Sequence, residues 1–461
     1  MSLKGALAAN RFGLGARTGE IAQASESPER WLLAQLDGAE RSSHFDNLPK
    51  SEELSADLVK RQLARQAKDQ EAIKSFLMEA RQNYLREMTA RFVHGAETAQ
   101  PFRERLVRFW SNHFTVSISK PQCAMFVGAF EREAIRPHVT GKFADLLLAV
   151  ERHPAMQLYL DNAQSIGPDS IAGHRTMRGL NENLGREILE LHTLGVDGGY
   201  SQSDVIALAN ILTGWSIDRG PGPLMRMASA AMGGVAEGGF RFYPVRHEPG
   251  AKSLLGRNYQ EGYDGGVQAL SDLAKHPATA RHIARKVATH FISDTPPSPS
   301  VARIERAFME SSGDLMRVYE ALVSDDAAWQ LAPGKVRSPM EYVTAATRIA
   351  GGERLAMLEP KDIMPFIQSA RAMGEMPFAA PSPKGWPDEA QAWTGAEAVL
   401  ERVEWANASA EKLGHDSDPL HLADEALGPL LTTETRTAIT RAASPAQGLA
   451  LLFACPEFQR R

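Results

Sequence analysis

Apolar residues recur at helical spacing over most of this chain, and strand-like alternation is rare. Residues 56–95 form long amphipathic stretches, with Glu and Arg or Lys interleaved on the polar side. In PFRERLVRFWSNHF, residues 101–114, the side chains of Leu106, Phe109, Trp110 and His113 fall at i, i+3, i+4 and i+7. Pro101 suits the first turn of that helix. The pattern continues over 121–136 and 142–151, with breaks at Pro137 and Gly141. It restarts at His153-Pro154 and ends near Tyr159-Leu160. Helical spacing returns over 264–293, 301–323, 339–351, 361–373 and 395–461, with TPPSPS at 295–300 as a turn or linker.

Three stretches break the pattern. The loop 161–179 is rich in Asn, Gly, Ser and Pro and longer than an ordinary connection. Residues 216–262 carry many Gly and Pro with short extended pieces such as GFRFYP, which suits a small hairpin or a covering flap. A third irregular stretch, MPFAAPSPKGWPDEAQAW, precedes the C-terminal helices. Strand signals are too sparse for a sheet-based fold. The expectation is all-α: a multi-helix globular array with irregular Gly/Pro-rich insertions and at most a small β-hairpin. Its parts are an N-terminal helical region at 1–98, a central core at 99–215 and the flap at 216–262. The core continues at 263–355, and a C-terminal helical region spans 356–461.

At 461 residues, two or three packed subdomains are expected. Net charge is -5, which disfavours a general nucleic-acid binder, although arginines cluster at 102–108, 131–136 and 281–285 and leave a local basic groove open. The two cysteines, Cys123 and Cys455, lie far apart, which rules out a disulfide framework or a thiolate zinc site. No run approaches the roughly 18 apolar residues of a membrane span. The start has no secretory h-region and no twin-arginine pair, its apolar run breaking at Asn10 and Arg11. A cytoplasmic protein is expected, with export only if the natural start lies elsewhere.

Candidate chemistry centres on Leu180–Trp215, which reads as two helices joined by a glycine-rich corner. On a wheel of roughly 100° per residue, Leu184, Ile188 and Leu191 share one arc, while Asn183, Glu187 and Glu190 share the next. Arg186 is spaced to pair with Glu190. Partly buried paired carboxylates can hold a divalent cation or serve as acid and base. The same residues can equally act as glue between helices. His192 points away from the Glu190 stripe, so the E-x-x-E-x-H string is not one ligand set. Gly195 suits a left-handed helix end, and Ser201 with Asp204 a capping box.

His113 is a metal ligand, a proton carrier or a hydrogen-bonded core histidine. His247, Glu248 and Lys252 cluster in the turn HEPGAKSLLG, where function or a plain turn both fit. His282, Lys286 and His290 share a helix face at i, i+4 and i+8, read as a solvated face or as an anion or metal row. SPKGWPD at 382–388, followed by Trp393, either covers a pocket or staples helices. HPAMQLYL and HPATARHI share helix-start chemistry rather than a duplication. No cofactor is indicated: RFGLGARTG is not GxGxxG, and Walker A, HExxH and GxSxG motifs are missing from the sequence.

Several segments in order resemble the bacterial family catalogued as domain of unknown function 1800 (DUF1800). They include NRFGLGAR at 10–17, RFWSNHFTVS at 108–117, the long segment 131–162 and NENLGREILELHTLGVDGGYSQSDV at 181–205. LTGWS at 212–216, HEPGAKSLLG at 247–256, residues 276–297 and SPKGWPD at 382–388 complete the set. Two departures are Gly185, where many relatives have Ala, and Glu248, where Asp is usual. The resemblance implies an uncharacterised, mainly helical protein. It also suggests a protein partner, because relatives are often encoded beside an exported family similar to the alkaline-phosphatase/sulfatase group.

Two functions follow as expectations. One is an enzyme, hydrolytic or metal-assisted, with Glu187, Glu190, His113 and His247 converging on one pocket. Asn183 and Lys286 would orient groups or bind an anion, with Arg186 and Lys252 nearby. The other is a noncatalytic helical scaffold or accessory factor, in which the same residues cross-link helices.

Overall fold

The computed structural model describes residues 1–461 apart from 39–41, 176–178, 219–232, 331–334, 352–358 and 414–417. Helices hold 65% of the chain and strands 4%, so the fold is mostly all-α. One large hydrophobic cluster runs from Leu7 to Phe458, beside a small one formed by Ala6, Ala9, Ala16 and Ile21.

The amphipathic stretch after Lys50 folds as two helices, Ser51–Ala67 and Gln70–Glu97, separated by Lys68 in the left-handed region at φ 55°. Pro101 starts the helix Pro101–His113, whose Phe102, Leu106, Phe109, Trp110 and His113 are all buried. This helix is the spine of the core. Trp110 stacks on Phe114 and donates its Nε1–H to the Tyr319 hydroxyl at 2.7 Å. Tyr319 in turn donates to the Val139 carbonyl at 2.8 Å. Residues 121–126 form turns rather than the expected helix, which begins only at Val127 and passes into a π turn at Glu131–Ile135.

Both His-Pro-Ala sequences start helices in the same way. His153 and His276 each accept through Nδ1 the N–H two residues on, Ala155 and Ala278, at 3.1 Å. The following proline fits the first turn because it has no N–H to satisfy.

The insertion at 216–262 holds more strand than one hairpin. Trp215–Ile217, Phe240–Phe242 and Ala236–Glu237 form an antiparallel three-stranded sheet, and Lys252–Leu254 pairs with Arg257–Tyr259. The part of the flap at 219–232 lies outside the described residues. The insertion and the loop 161–179 close on each other. Gly167 N–H donates to the Arg246 carbonyl at 2.9 Å, and Ala172 N–H donates to that of Val245 at 2.8 Å.

Polar groups that interrupt the sequence pattern are buried and matched. Asn10 donates to the carbonyls of Ala6 and Ala426, and Arg11 donates to that of Ala328. The arginine clusters at 102–108 and 131–136 face inward: Arg136 holds the fully buried Glu104 at 2.6 Å, and Arg132 pairs with Glu87 at 2.7 Å. The N-terminal segment and the end of the helix Gln70–Glu97 are tied to the helix Pro339–Ala350 through Arg348. It donates to both oxygens of Glu20 at 2.9 Å, to Gly15 O at 2.8 Å and to Gly95 O at 2.9 Å. Removing it strands a buried carboxylate and several carbonyls together. Arg348→Met is expected to cost about 3–5 kcal/mol of unfolding free energy in urea titration, the usual effect of orphaning a buried ion pair. A loss under about 1 kcal/mol would show that Arg348 is dispensable.

Candidate functional site

The helix Asn183–Glu187 widens into a π turn at Ile188–His192. A π turn shifts hydrogen bonds to i→i+5 spacing and often marks a functional site. Here the Leu191 carbonyl accepts from His282 Nε2 at 3.0 Å, and the His192 carbonyl accepts from His113 Nε2 at 3.2 Å. Two imidazoles from distant helices therefore dock onto one turn. Their rings lie 6.1 Å apart between centroids. Gly195 follows at φ 86°, and a Cβ there would lie 2.8 Å from His282 Nδ1, so this corner needs glycine twice over.

The same widening alters the expected pairing. Arg186 bonds Glu182 and Gln202, each at 3.0 Å, rather than Glu190. The junction at Ile188 lies between residues 186 and 190 and breaks their i, i+4 register, whereas Glu182 sits a normal turn back. Ser201 and Asp204 form the expected capping box. His192 is fully buried and bonded through Nδ1 to Glu151 Oε1 at 2.8 Å, away from the carboxylate stripe. Gly185 packs closely on the next helix, since a Cβ there would lie 3.0 Å from Ala209 N.

A cavity of about 520 Å³ opens beside this turn. His113, Glu190 and Lys286 line it, and so do His282 and His290. The row His282–Lys286–His290 thus faces a cavity rather than forming a solvated helix surface. The loop at 382–388 makes the opposite wall through Lys384, Gly385, Trp386 and Asp388. Asn112 holds that loop by donating to Trp386 O at 2.9 Å and accepting from Trp386 N–H at 2.8 Å. Gly385, at φ 87°, allows the approach, because a Cβ would come within 2.4 Å of Asn112 O.

Glu187, Asn183, Arg186, His247 and Lys252 do not line the cavity. Glu187 is half-buried, and its carboxyl is raised by burial, opposed by His192 and reinforced by Glu190. Asn183 is exposed at the helix start. His247 donates through Nδ1 to Thr213 O at 2.8 Å and accepts Gly262 N–H through Nε2 at 3.0 Å. Lys252 bonds the Glu248 carbonyl. Glu248 itself accepts Asp169 N–H at 3.0 Å, so this turn clips the insertion to the loop 161–179.

A charge network that spacing alone did not reveal forms the cavity floor. His290 donates Nδ1–H to Asp388 Oδ2 at 2.9 Å. The other Asp388 oxygen receives Arg461 at 3.0 Å and Lys335 at 3.3 Å. Arg461 also meets Glu341 at 3.0 Å, and Glu341 meets Arg105 at 2.8 Å. Burial opposes ionisation of Asp388, but His290, Lys335 and Arg461 hold it well below the usual range. Burial likewise opposes ionisation of Glu341, yet Arg105 and Arg461 bring it down to about 2.

Burial keeps the cavity imidazoles neutral. His282 and His290 are pushed down to about 4, and His113 lies well below its ordinary value with Lys286 adding to the shift. His290 Nε2 and His113 Nδ1 are buried without a hydrogen-bond partner among the described residues. Lys286 makes no ion pair or hydrogen bond among the described residues, and burial lowers its ammonium to about 8. Among the described residues, no group of three His, Cys, Asp or Glu side chains is arranged to hold a metal ion. The sequence did contain both halves of the His290–Asp388 contact, in the histidine row and in SPKGWPD. Their separation of 98 residues hid the pairing.

A protein-family model described as "Protein of unknown function (DUF1800)" matches residues 7–460. The chain belongs to the DUF1800 family. No curated protein and no solved structure matches it. Nor is any helix among the described residues of this DUF1800 protein long and apolar enough to cross a membrane.

The depressed imidazoles make this DUF1800 protein acid-labile. His113, His282 and His290 titrate below 6.5 when folded, so acidification from there protonates the unfolded chain first. Their contribution is complete above pH 6.5 and is lost as pH falls toward about 4, at about 1.4 kcal/mol per pH unit for each imidazole. Glu341 extends the loss from 4.5 down to about 2, because its folded value is depressed. Urea titrations at descending pH are expected to show a continuous fall in stability from pH 6.5. A stability maximum near pH 5 would contradict the burial of these rings.

Proposed function

We propose that the cavity is the active site of a hydrolytic enzyme in which His290, oriented by Asp388, takes a proton from an attacking water. The observation that carries this reading is the directed His290–Asp388 bond, on a histidine that lines the cavity and whose Nε2 is buried without a hydrogen-bond partner among the described residues. With Nδ1–H committed to a carboxylate, the lone pair resides on Nε2, the atom a general base needs. Water is taken as the nucleophile because three of the four hydroxyl side chains lining the cavity among the described residues are engaged elsewhere, Thr289 being the fourth. Ser111 donates to Glu131 at 2.9 Å, Thr115 donates to Asn112 O at 2.7 Å, and Ser338 caps the helix Pro339–Ala350. Arg461 supplies positive charge where an oxyanion would develop. Glu190 and His113 belong to the same cavity as shaping groups, whereas Glu187 and His247 act as helix and loop fasteners.

The test is turnover of p-nitrophenyl carboxylate and phosphate esters by wild type and His290→Asn. General acid–base catalysis contributes about 10²–10⁴-fold, and the variant is expected to lose at least about 100-fold in kcat. The acid limb of kcat/KM is expected near 4, where His290 takes up its proton, rather than at 6.5. Turnover unaffected by His290→Asn, or none with either ester class, would remove the hydrolase reading.

A second reading, an accessory factor for a protein partner, is favoured by one separate feature. Val399, Leu400 and Val403 are exposed together on the helix Ala396–Leu413. The candidate partner is the exported sulfatase-like protein suggested by family resemblance. Mixing the two purified proteins on a sizing column is expected to give a complex that Leu400→Glu abolishes; separate elution would refute it.

A further inference from the structure

Among the described residues, four of the seven lysines and arginines on the cavity lining are matched by carboxylates (Arg91, Arg105, Arg108 and Arg461), and of the other three Arg285 is exposed to solvent. Arg105 and Arg461 share Glu341, Arg461 also reaches Asp388, and Arg91 bonds Glu131 at 2.8 Å. Lys286 is different. It lies mid-way along the helix Pro277–Phe291, one turn from His282 and one from His290, with no carboxylate within ion-pair distance among the described residues. Asp388 is close enough to influence it, but both its oxygens are taken by His290, Arg461 and Lys335. Lys384 faces Lys286 from the loop wall and also has no ion pair among the described residues.

Placing an ammonium in a half-buried cavity without a counter-charge is unfavourable. A second ammonium nearby adds repulsion. Both terms vanish when an anion enters between them, so the cavity carries an unmet demand for negative charge. The remaining walls decide what accompanies that charge. Phe109, Val116, Phe378 and Trp386 contribute apolar and aromatic surface, and about 520 Å³ exceeds the room an inorganic ion needs.

We propose that Lys286 and Lys384 form the anion subsite of this cavity, and that its ligand is a small organic oxyanion, a carboxylate or phosphate on an apolar or aromatic body. This rests on the reading of the cavity as an active site, because the anionic group would place the rest of the molecule toward His290. Lys286 is a positioning residue in this scheme: it holds the ligand and takes no part in proton transfer.

The experiment is isothermal titration of the full chain at pH 7 with phenyl phosphate, benzoate, inorganic phosphate and neutral benzyl alcohol. Phenyl phosphate or benzoate is expected to bind at least tenfold more tightly than benzyl alcohol and inorganic phosphate. Lys286→Met is expected to weaken the organic anion at least tenfold, and the exposed Lys384→Ala severalfold. Lys286→Gln, which keeps a polar head, serves if Lys286→Met does not fold. Affinity is expected to fall as pH rises past the deprotonation of Lys286. Equal binding of neutral and anionic ligands, unchanged affinity in both lysine variants, or no binding of either organic anion would overturn the subsite. Anion binding that persists in His290→Asn while turnover is absent in both proteins would uphold the subsite and sink the hydrolase reading. Turnover that depends on His290 but not on Lys286 would do the reverse.

Discussion

The cavity depends on one carboxylate. Asp388 is half-buried, and its two oxygens bind an imidazole, a guanidinium and an ammonium drawn from three separate segments of the chain. A carboxylate drawn out of water is stabilised when it is matched in this way. The match fixes the loop 382–388, the helix Pro277–Phe291 and residues 335–337 with respect to one another. Arg461 and Glu341 then pass the constraint on to Arg105, in the helix that forms the spine of the core. The fold and the cavity are therefore held by the same ions.

The second constraint is the π turn at Ile188–His192. Leu191 and His192 lie in the last turn of their helix, where carbonyls have no intrahelical partner. The wider turn turns them toward His113 and His282, which fixes both tautomers with Nε2–H as donor. The Nδ1 of each ring is then left without a proton, and burial opposes its gaining charge. Neutral rings, two lysines without an ion pair among the described residues and a saturated carboxylate give the cavity its chemical character: basic, with the ammonium groups of Lys286 and Lys384 uncommitted.

Much of the architecture was legible in the sequence because helical spacing, helix-start residues and left-handed glycines are local signals. Pro101, the two His-Pro-Ala starts, Gly195 and the Ser201–Asp204 box behave as local chemistry dictates. The site was legible only in fragments. Glu190, His113 and Lys286 reach the cavity, but the α-helical wheel could not foresee the π turn that separates Arg186 from Glu190. His247 looked reactive beside Lys252, yet both its nitrogens bond backbone groups of its own neighbourhood. The His290–Asp388 contact joins two segments 98 residues apart, and no periodicity encodes such a pairing.

The most direct measurement is nitrogen-15 NMR of the imidazoles in the full chain, with His290 assigned by His290→Asn. At pH 7 the account predicts a neutral His290 with its proton on Nδ1 and a bare Nε2. It predicts that this ring stays neutral until the pH approaches about 4. A proton on Nε2, or titration at the ordinary 6.5, would contradict the Asp388-directed base on which the account rests.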